Sequence, residues 1–260
     1  TKYISAFKNT FFLTGMTENG VRFSAPGLPE VFPVDNIIDV GDGDSGPITG
    51  IYPTKNALVV FKPRGVYLLK GDPLNGFYAQ TLTRDVGCCA PNTCAELPGL
   101  GLVFLSDAGV YLLKGALENT GTITGLVHLS ATVPDLVEEI NFSAAINAQG
   151  AVYHRDKEYW LAVPKIGSDV NRRVMVYHYD IGEWSVREQY PIASMVETRD
   201  HRGYMIFGSN DRTTGYESSR PGLWVYTPSA SLKHTLAIRP TYETAHLDIC
   251  LLYTSDAADE

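Results

Sequence analysis

A stretch of fourteen residues occurs twice in this chain, and the repetition constrains the fold more than any single motif could. Leu58-Val59-Val60-Phe61-Lys62-Pro63-Arg64-Gly65-Val66-Tyr67-Leu68-Leu69-Lys70-Gly71 returns as Leu102-Val103-Phe104-Leu105-Ser106-Asp107-Ala108-Gly109-Val110-Tyr111-Leu112-Leu113-Lys114-Gly115, and the core Gly-Val-Tyr-Leu-Leu-Lys-Gly is identical. The offset from Gly65 to Gly109 is 109 − 65 = 44 residues, and the apolar runs before them align at the same offset, 102 − 58 = 44. A period of about 40 to 50 residues is that of a four-stranded propeller blade.

Each copy reads as a hairpin, with β-branched and aromatic runs on either side of a turn. The turns are Lys62-Pro63-Arg64-Gly65 and Ser106-Asp107-Ala108-Gly109, where Pro, Asp and Gly supply the turn chemistry. Pro47–Tyr52 and Thr93–Leu97 are candidate strands upstream of the two hairpins, and Gly76–Leu82 is a candidate outer strand of the first unit. That makes about four strands per period, as such blades require.

The rest of the chain keeps the same texture of short strands between turn residues. Ala151–Val163 and Val174–Val186 read as further hairpins, the latter with Val174 and Val176 on one face and Met175 and Tyr177 on the other. Gly203–Gly208 and Gly222–Tyr226 flank a polar stretch, Ser209–Pro221, so four or more blade-like units are expected. The one helical signal is Thr132–Ile140, with Pro134 and Asp135 in its first turn and Val133, Leu136, Val137 and Ile140 at helical spacing. The expected architecture is therefore an all-β, propeller-like fold of four-stranded blades, incomplete at its C-terminus. Radial stacking would bury two apolar faces per blade, with Tyr67, Tyr111, Trp160 and Trp224 as candidate interface side chains.

A chain of 260 residues that is 44% hydrophobic suffices for one large core, and the propeller is assigned to residues 1–247. The last stretch, residues 248–260, reads Asp-Ile-Cys-Leu-Leu-Tyr-Thr-Ser-Asp-Ala-Ala-Asp-Glu. It resembles translated sequencing-adaptor read-through, which would make it non-native and the natural chain longer; a genuine acidic tail is the alternative. With 21 Lys+Arg against 29 Asp+Glu the net charge is −8 and the pI about 5.2, opposite in sign to the footprint of a phosphate-backbone binder. No specific nucleic-acid binding and no membrane span are expected, since no stretch approaches roughly 18 uninterrupted apolar residues.

The residues resemble the β-propeller proteins of podovirus-like phage tails, including the nozzle or tail tubular proteins. The resemblance is carried by Val21–Glu30, by Ile48-Thr49-Gly50 before Leu58–Lys62, by Gly65–Gly71, by Gly87–Asn92 leading to Leu102–Tyr111, and by Tyr179–Trp184, over roughly residues 20 to 190. It implies a structural, non-enzymatic component of a virion, assembled in the host cytoplasm. Its implied partners are copies of itself in a homo-oligomeric ring, through which DNA passes, and other tail proteins. A cellular propeller-type binding module is the alternative, and a propeller-type glycoside hydrolase a third.

The sequence assigns no catalytic, cofactor or metal residue. Asp156, Glu158, Asp180 and Glu183 offer carboxylate pairs on paper, but turn acids explain them as well. His154, His178 and His201 lack metal-ligand spacing, as does the cluster Cys88, Cys89 and Cys94, which fits buried thiols better. Tyr179–Trp184 also looks like a kelch-type hairpin, in which the Asp shapes the turn and the Trp packs between blades. The Asp39–Gly46 run, centred near Asp42, could hold Ca²⁺ through carboxylate and carbonyl oxygens or be a plain turn. Neither a P-loop nor a Gly-x-Ser-x-Gly elbow is present.

Overall fold

A computed structural model describes residues 2–41, 46–115, 125–198, 203–209 and 222–226. They form five antiparallel sheets that follow one another along the chain. The first contains β1 (Tyr3–Phe7), β2 (Thr10–Thr14), β3 (Gly20–Phe23) and β4 (Ile37–Asp39), and the second β5 (Gly50–Pro53), β6 (Leu58–Lys62), β7 (Gly65–Asp72) and β8 (Gly76–Thr83). The third contains β9 (Ala90–Leu97), β10 (Gly101–Ser106), β11 (Gly109–Lys114) and β12 (Gly125–His128). The fourth holds β13 (Gln149–Tyr153), β14 (Glu158–Pro164), β15 (Asn171–His178) and β16 (Glu183–Glu188). The fifth has three described strands, β17 (Ser194–Glu197), β18 (Met205–Ser209) and β19 (Gly222–Tyr226).

Strand periodicity explains why these sheets stack. Successive side chains point to opposite faces, so each middle strand feeds two interfaces at once. On β6, Leu58 and Val60 join Phe7, Phe12 and Val21 of the first sheet, while Val59 and Phe61 join Leu102 and Phe104 of the third. On β10, Val103 and Leu105 turn the other way, toward Tyr159, Leu161 and Val163 of β14. Trp160 and Ala162 then face Met205 and Phe207 of the fifth sheet. Four apolar clusters thus correspond to the four junctions between consecutive sheets. Met175 and Tyr177 go to one junction, Val174 and Val176 to the next, as the alternation requires.

The first strands of consecutive sheets lie side by side, β1 by β5, β5 by β9, β9 by β13 and β13 by β17. This radial succession of antiparallel sheets, four of them four-stranded among the described residues, is the all-β, propeller-like fold. The repeat of 44 residues marks equivalent hairpins, β6–β7 and β10–β11, each closed by a two-residue turn. Its two tyrosines are placed differently, however. Tyr67 is buried in the first junction, whereas Tyr111 is half-buried, stacked on the His128 ring at 4.5 Å and 8°.

The strand starts Ala90 and Gln149 are 149 − 90 = 59 residues apart, because an extra segment follows the third sheet. It comprises 3-10 turns at Leu129–Thr132 and Phe142–Asn147 around a single α-helical turn, α1 (Pro134–Glu138). The helix expected over Thr132–Ile140 is thus corrected to five residues. The backbone explains the early stop: Ile166 N–H donates to Glu139 O, Asn141 N–H to Pro164 O, and Ile140 bridges Lys165 in antiparallel fashion. Ile140 is buried, but as an extended residue at the end of β14 and not as part of a helical face. Among the described residues no helix is long and apolar enough to cross a membrane.

Of the four aromatic residues expected at junctions, Tyr67 and Trp160 are fully buried there and Tyr111 packs at the margin of the second junction. The Trp224 side chain lies outside the described residues.

Candidate functional site

The charged residues singled out by sequence converge on one end of the fourth sheet, with Glu158 at their centre. Glu158, His178 and Glu183 form one cross-strand row, through the pairings Glu158↔His178 and His178↔Glu183. The Glu158 carboxylate is buried. It accepts the Trp160 indole N–H at 2.7 Å and the Arg187 Nη2 at 3.0 Å on each oxygen, with His178 Nδ1 at 3.6 Å. Arg187 in turn lies over the Trp160 ring at 4.2 Å and the Tyr226 ring at 4.8 Å. The carboxylate's lone pairs are committed to fixed donors, which is the arrangement of a satisfied buried charge.

The other acids do not join it. Asp180 faces Lys157 at 3.9 Å across the hairpin ends, and Glu183 is exposed. The 179–182 turn is held by backbone bonds from Ile181 and Gly182 N–H to His178 O, with Gly182 at φ 78. Trp184 donates its indole N–H to Leu129 O at 3.0 Å and packs on Tyr177 in the third junction, so it does sit between blades. His154 meets Glu197 of the fifth sheet through its backbone N–H at 2.9 Å and its ring Nδ1 at 2.5 Å. His201 lies outside the described residues, as do residues 42–45 of the Asp/Gly-rich run. Beside that run, the buried Lys62 ammonium donates to Asn19 Oδ1 at 2.7 Å and sits 5.6 Å from the Tyr67 ring centre.

Cys88 is buried in the second junction, its Sγ 3.9 Å from that of Cys94. Burial pushes the Cys88 thiol well above its ordinary range. It pushes Cys89 up to about 12, with the neighbouring Cys88 and Asp107 adding to the effect. Such thiols stay protonated at neutral pH and behave as small apolar groups. Among the described residues no three His, Cys, Asp or Glu side chains gather as metal ligands would.

A different segment presents the most conspicuous surface. The 24–36 connection between β3 and β4 carries Leu28, Val31 and Val34 at 55%, 48% and 80% exposure, punctuated by Pro26, Pro29 and Pro33. Despite facing solvent it is internally hydrogen-bonded. Ser24 N–H donates to Phe11 O, Gly27 N–H to Asn9 O, Ala25 N–H to Val31 O, Leu28 N–H to Ala25 O and Val31 N–H to Leu28 O. Arg22 clamps the second half, its Nη2 reaching the carbonyls of Phe32 at 3.4 Å and Pro33 at 3.3 Å. A surface loop normally hides its apolar side chains or stays polar; this one fixes three of them outward. Sequence reading used Val21–Glu30 as a point of resemblance but did not read it as a surface. The legible signal was an apolar cluster between prolines with neither helical nor strand period.

No family model and no curated protein sequence matches the chain. Among solved structures it is similar to the extracellular domain attributed to a hybrid two component system of B. thetaiotaomicron, at 10% identity and a TM-score of 0.52 over 88% of this chain and 26% of that one. It is also similar to Hsv2p of Kluyveromyces lactis, at 12% identity and a TM-score of 0.49 over 90% of this chain and 65% of that one. The chain therefore spans between about a quarter and two thirds of the length of these structures. At 10% identity the likeness to the first of these is one of fold, and it agrees with the succession of antiparallel sheets.

Proposed function

We propose that this chain is a non-enzymatic binding module, a propeller scaffold that presents the 24–36 loop to a protein partner carrying a complementary apolar segment. One observation carries the reading: Leu28, Val31 and Val34 are exposed on a backbone that is already hydrogen-bonded into place. A pre-ordered apolar loop loses little conformational freedom on binding, which is how a small patch gains affinity. The Glu158 carboxylate supports the same reading, since both of its oxygens accept hydrogen bonds within the fold.

A photo-crosslinking residue at position 34, compared with one at Leu74, tests this in cells. Leu74 is 94% exposed in the turn between β7 and β8 and serves as the control. A discrete protein adduct at position 34, absent at 74 and lost with Leu28→Asp, is the expected result. Indistinguishable adducts at the two positions would rule out a specific site on the loop.

A second reading is a phage tail component, a nozzle or tail-tube protein working in the virion beside other tail proteins. It is favoured by the overlap between the exposed loop and Val21–Glu30, one of the stretches that carries that resemblance. Recovery of the gene beside portal, capsid or tail genes supports it, and a cellular operon removes it while leaving the binding module intact.

A further inference from the structure

The strand β9, which opens the third sheet, is not extended throughout. Ala90 pairs with Leu105 and Ala95 with Val103, so Pro91, Asn92, Thr93 and Cys94 stand opposite Phe104 alone. The bulge is held from inside by the Thr93 hydroxyl, which donates to Ala90 O at 2.6 Å and accepts the Leu105 N–H at 3.0 Å. Neighbouring sheets press on it from both sides. A Cβ on Gly50 of β5 would fall 2.7 Å from Pro91 Cβ, and one on Gly150 of β13 would fall 2.4 Å from Thr93 O. The Tyr159 hydroxyl of β14 donates to that same carbonyl at 2.7 Å.

The same bulge folds Cys94 back beside Cys88. Six residues of extended strand span roughly 20 Å, yet these two sulfurs lie 3.9 Å apart, both on the second junction. Cys88 is moored to the second sheet, its N–H donating to Lys62 O at 3.2 Å and its carbonyl accepting the Thr49 hydroxyl at 2.6 Å. Cys89 points elsewhere, its thiol donating to Leu105 O at 3.5 Å. A disulfide needs its sulfurs at about 2.05 Å, a closure of the size that a side-chain rotation supplies.

We propose that Cys88 and Cys94 are a redox pair, oxidised by hydrogen peroxide to a disulfide that pins the bulge to the second sheet. Burial holds Cys88 as a thiol, so the half-buried Cys94 is the sulfur that meets the oxidant. The Cys94 sulfur attacks one peroxide oxygen; the O–O bond breaks, leaving Cys94 as a sulfenic acid and releasing water. The Cys88 sulfur then attacks the Cys94 sulfur. The S–O bond breaks, the S–S bond forms, and the hydroxyl leaves as water with the Cys88 proton. The two thiols give up two electrons, and the peroxide is reduced to two waters. This rests on the bulge alone and is independent of the 24–36 loop.

The full chain, first reduced and then exposed to hydrogen peroxide, provides the test. Alkylation in denaturant followed by trypsin gives one peptide, Asp85–Lys114, that carries Cys88, Cys89 and Cys94. Mass spectrometry should find one alkyl group on it after oxidation, where the reduced chain carries three, and three again after dithiothreitol. Cys89→Ser should still close the disulfide, and Cys94→Ser should not. Because the cross-link restrains the unfolded chain, the oxidised wild type should melt roughly 5 °C above the reduced form, with no such rise in Cys94→Ser. Three alkylated thiols after peroxide, a disulfide that persists without Cys94, or a disulfide that leaves the melting temperature unchanged overturns the proposal.

Discussion

Trp160 and Glu158, two residues apart on β14, are tied together by an indole N–H donated to the carboxylate at 2.7 Å. Both side chains therefore lie on the face that meets the fifth sheet, with the Arg187 guanidinium closing over them. Removing one partner of a buried ion pair costs about 3–5 kcal/mol, because the other charge is left unpaired. Glu158→Ala is accordingly expected to lower the melting temperature by roughly 10 °C at this chain length. A double variant with Arg187→Ala should lose less than the sum of the single losses. Thermal unfolding of the four proteins checks both statements, and strict additivity would show that the pair is not coupled.

The alkaline limb of stability should be set by buried tyrosines. Burial, reinforced by the Glu96 carboxylate and by Cys94, raises Tyr52 to about 12, and burial with Asp156 nearby raises Tyr153 to about 12. For a group whose folded value lies above its unfolded value near 10, the stabilisation is complete below about pH 10 and is lost as pH rises toward 12. Spectroscopic titration of tyrosinate should therefore show a late group that ionises together with unfolding. Ionisation of all 15 tyrosines near pH 10 with the fold intact would contradict this.

Two glycines should respond very differently to alanine. A Cβ on Gly87 would fall 1.8 Å from Lys62 O, a backbone atom that also accepts the Cys88 N–H at 3.2 Å. The chain entering the third sheet would have to shift, at a cost of about 3 kcal/mol or more. Gly99 has open space around its Cβ position but sits at φ +72, so alanine there pays only the left-handed penalty of about 1–2 kcal/mol. Chemical denaturation of the two variants should rank them in that order.

Arg22→Ala should loosen the 24–36 loop without unfolding the sheets. It removes the donors to Phe32 and Pro33 carbonyls, worth about 1–1.5 kcal/mol, or close to tenfold in local opening. Hydrogen exchange at the Val31 and Asn36 amides should accelerate by about that factor, while amides of β6 and β10 keep their protection. Uniform acceleration would instead mean that Arg22 supports the whole first sheet.

The second and third sheets were legible in sequence because β6 and β10 are unbroken runs of Val, Leu and Phe, and because their turns use Pro, Asp and Gly. The first sheet was not. Its β1–β2 hairpin turns on Lys8-Asn9, both at positive φ (47 and 59) without a glycine, so the usual two-residue turn signal is missing. The helix at Thr132–Ile140 was over-read because its apolar spacing is real but is used in two ways. Leu136 packs from α1, whereas Ile140 packs after the chain has joined the end of β14. Pairing of Glu158 with Arg187 required knowing that β14 and β16 flank β15 in register, which no local pattern encodes. The 24–36 loop escaped because its exposed side chains follow no period at all.

The tyrosines of the duplicated segment, Tyr67 and Tyr111, occupy equivalent places in two hairpins yet serve different neighbours, one inside the first junction and one against His128. Identical letters are therefore not kept here by identical packing. The shared hairpin register fixes where each tyrosine sits along its strand, and the neighbouring sheet decides how deeply it is buried.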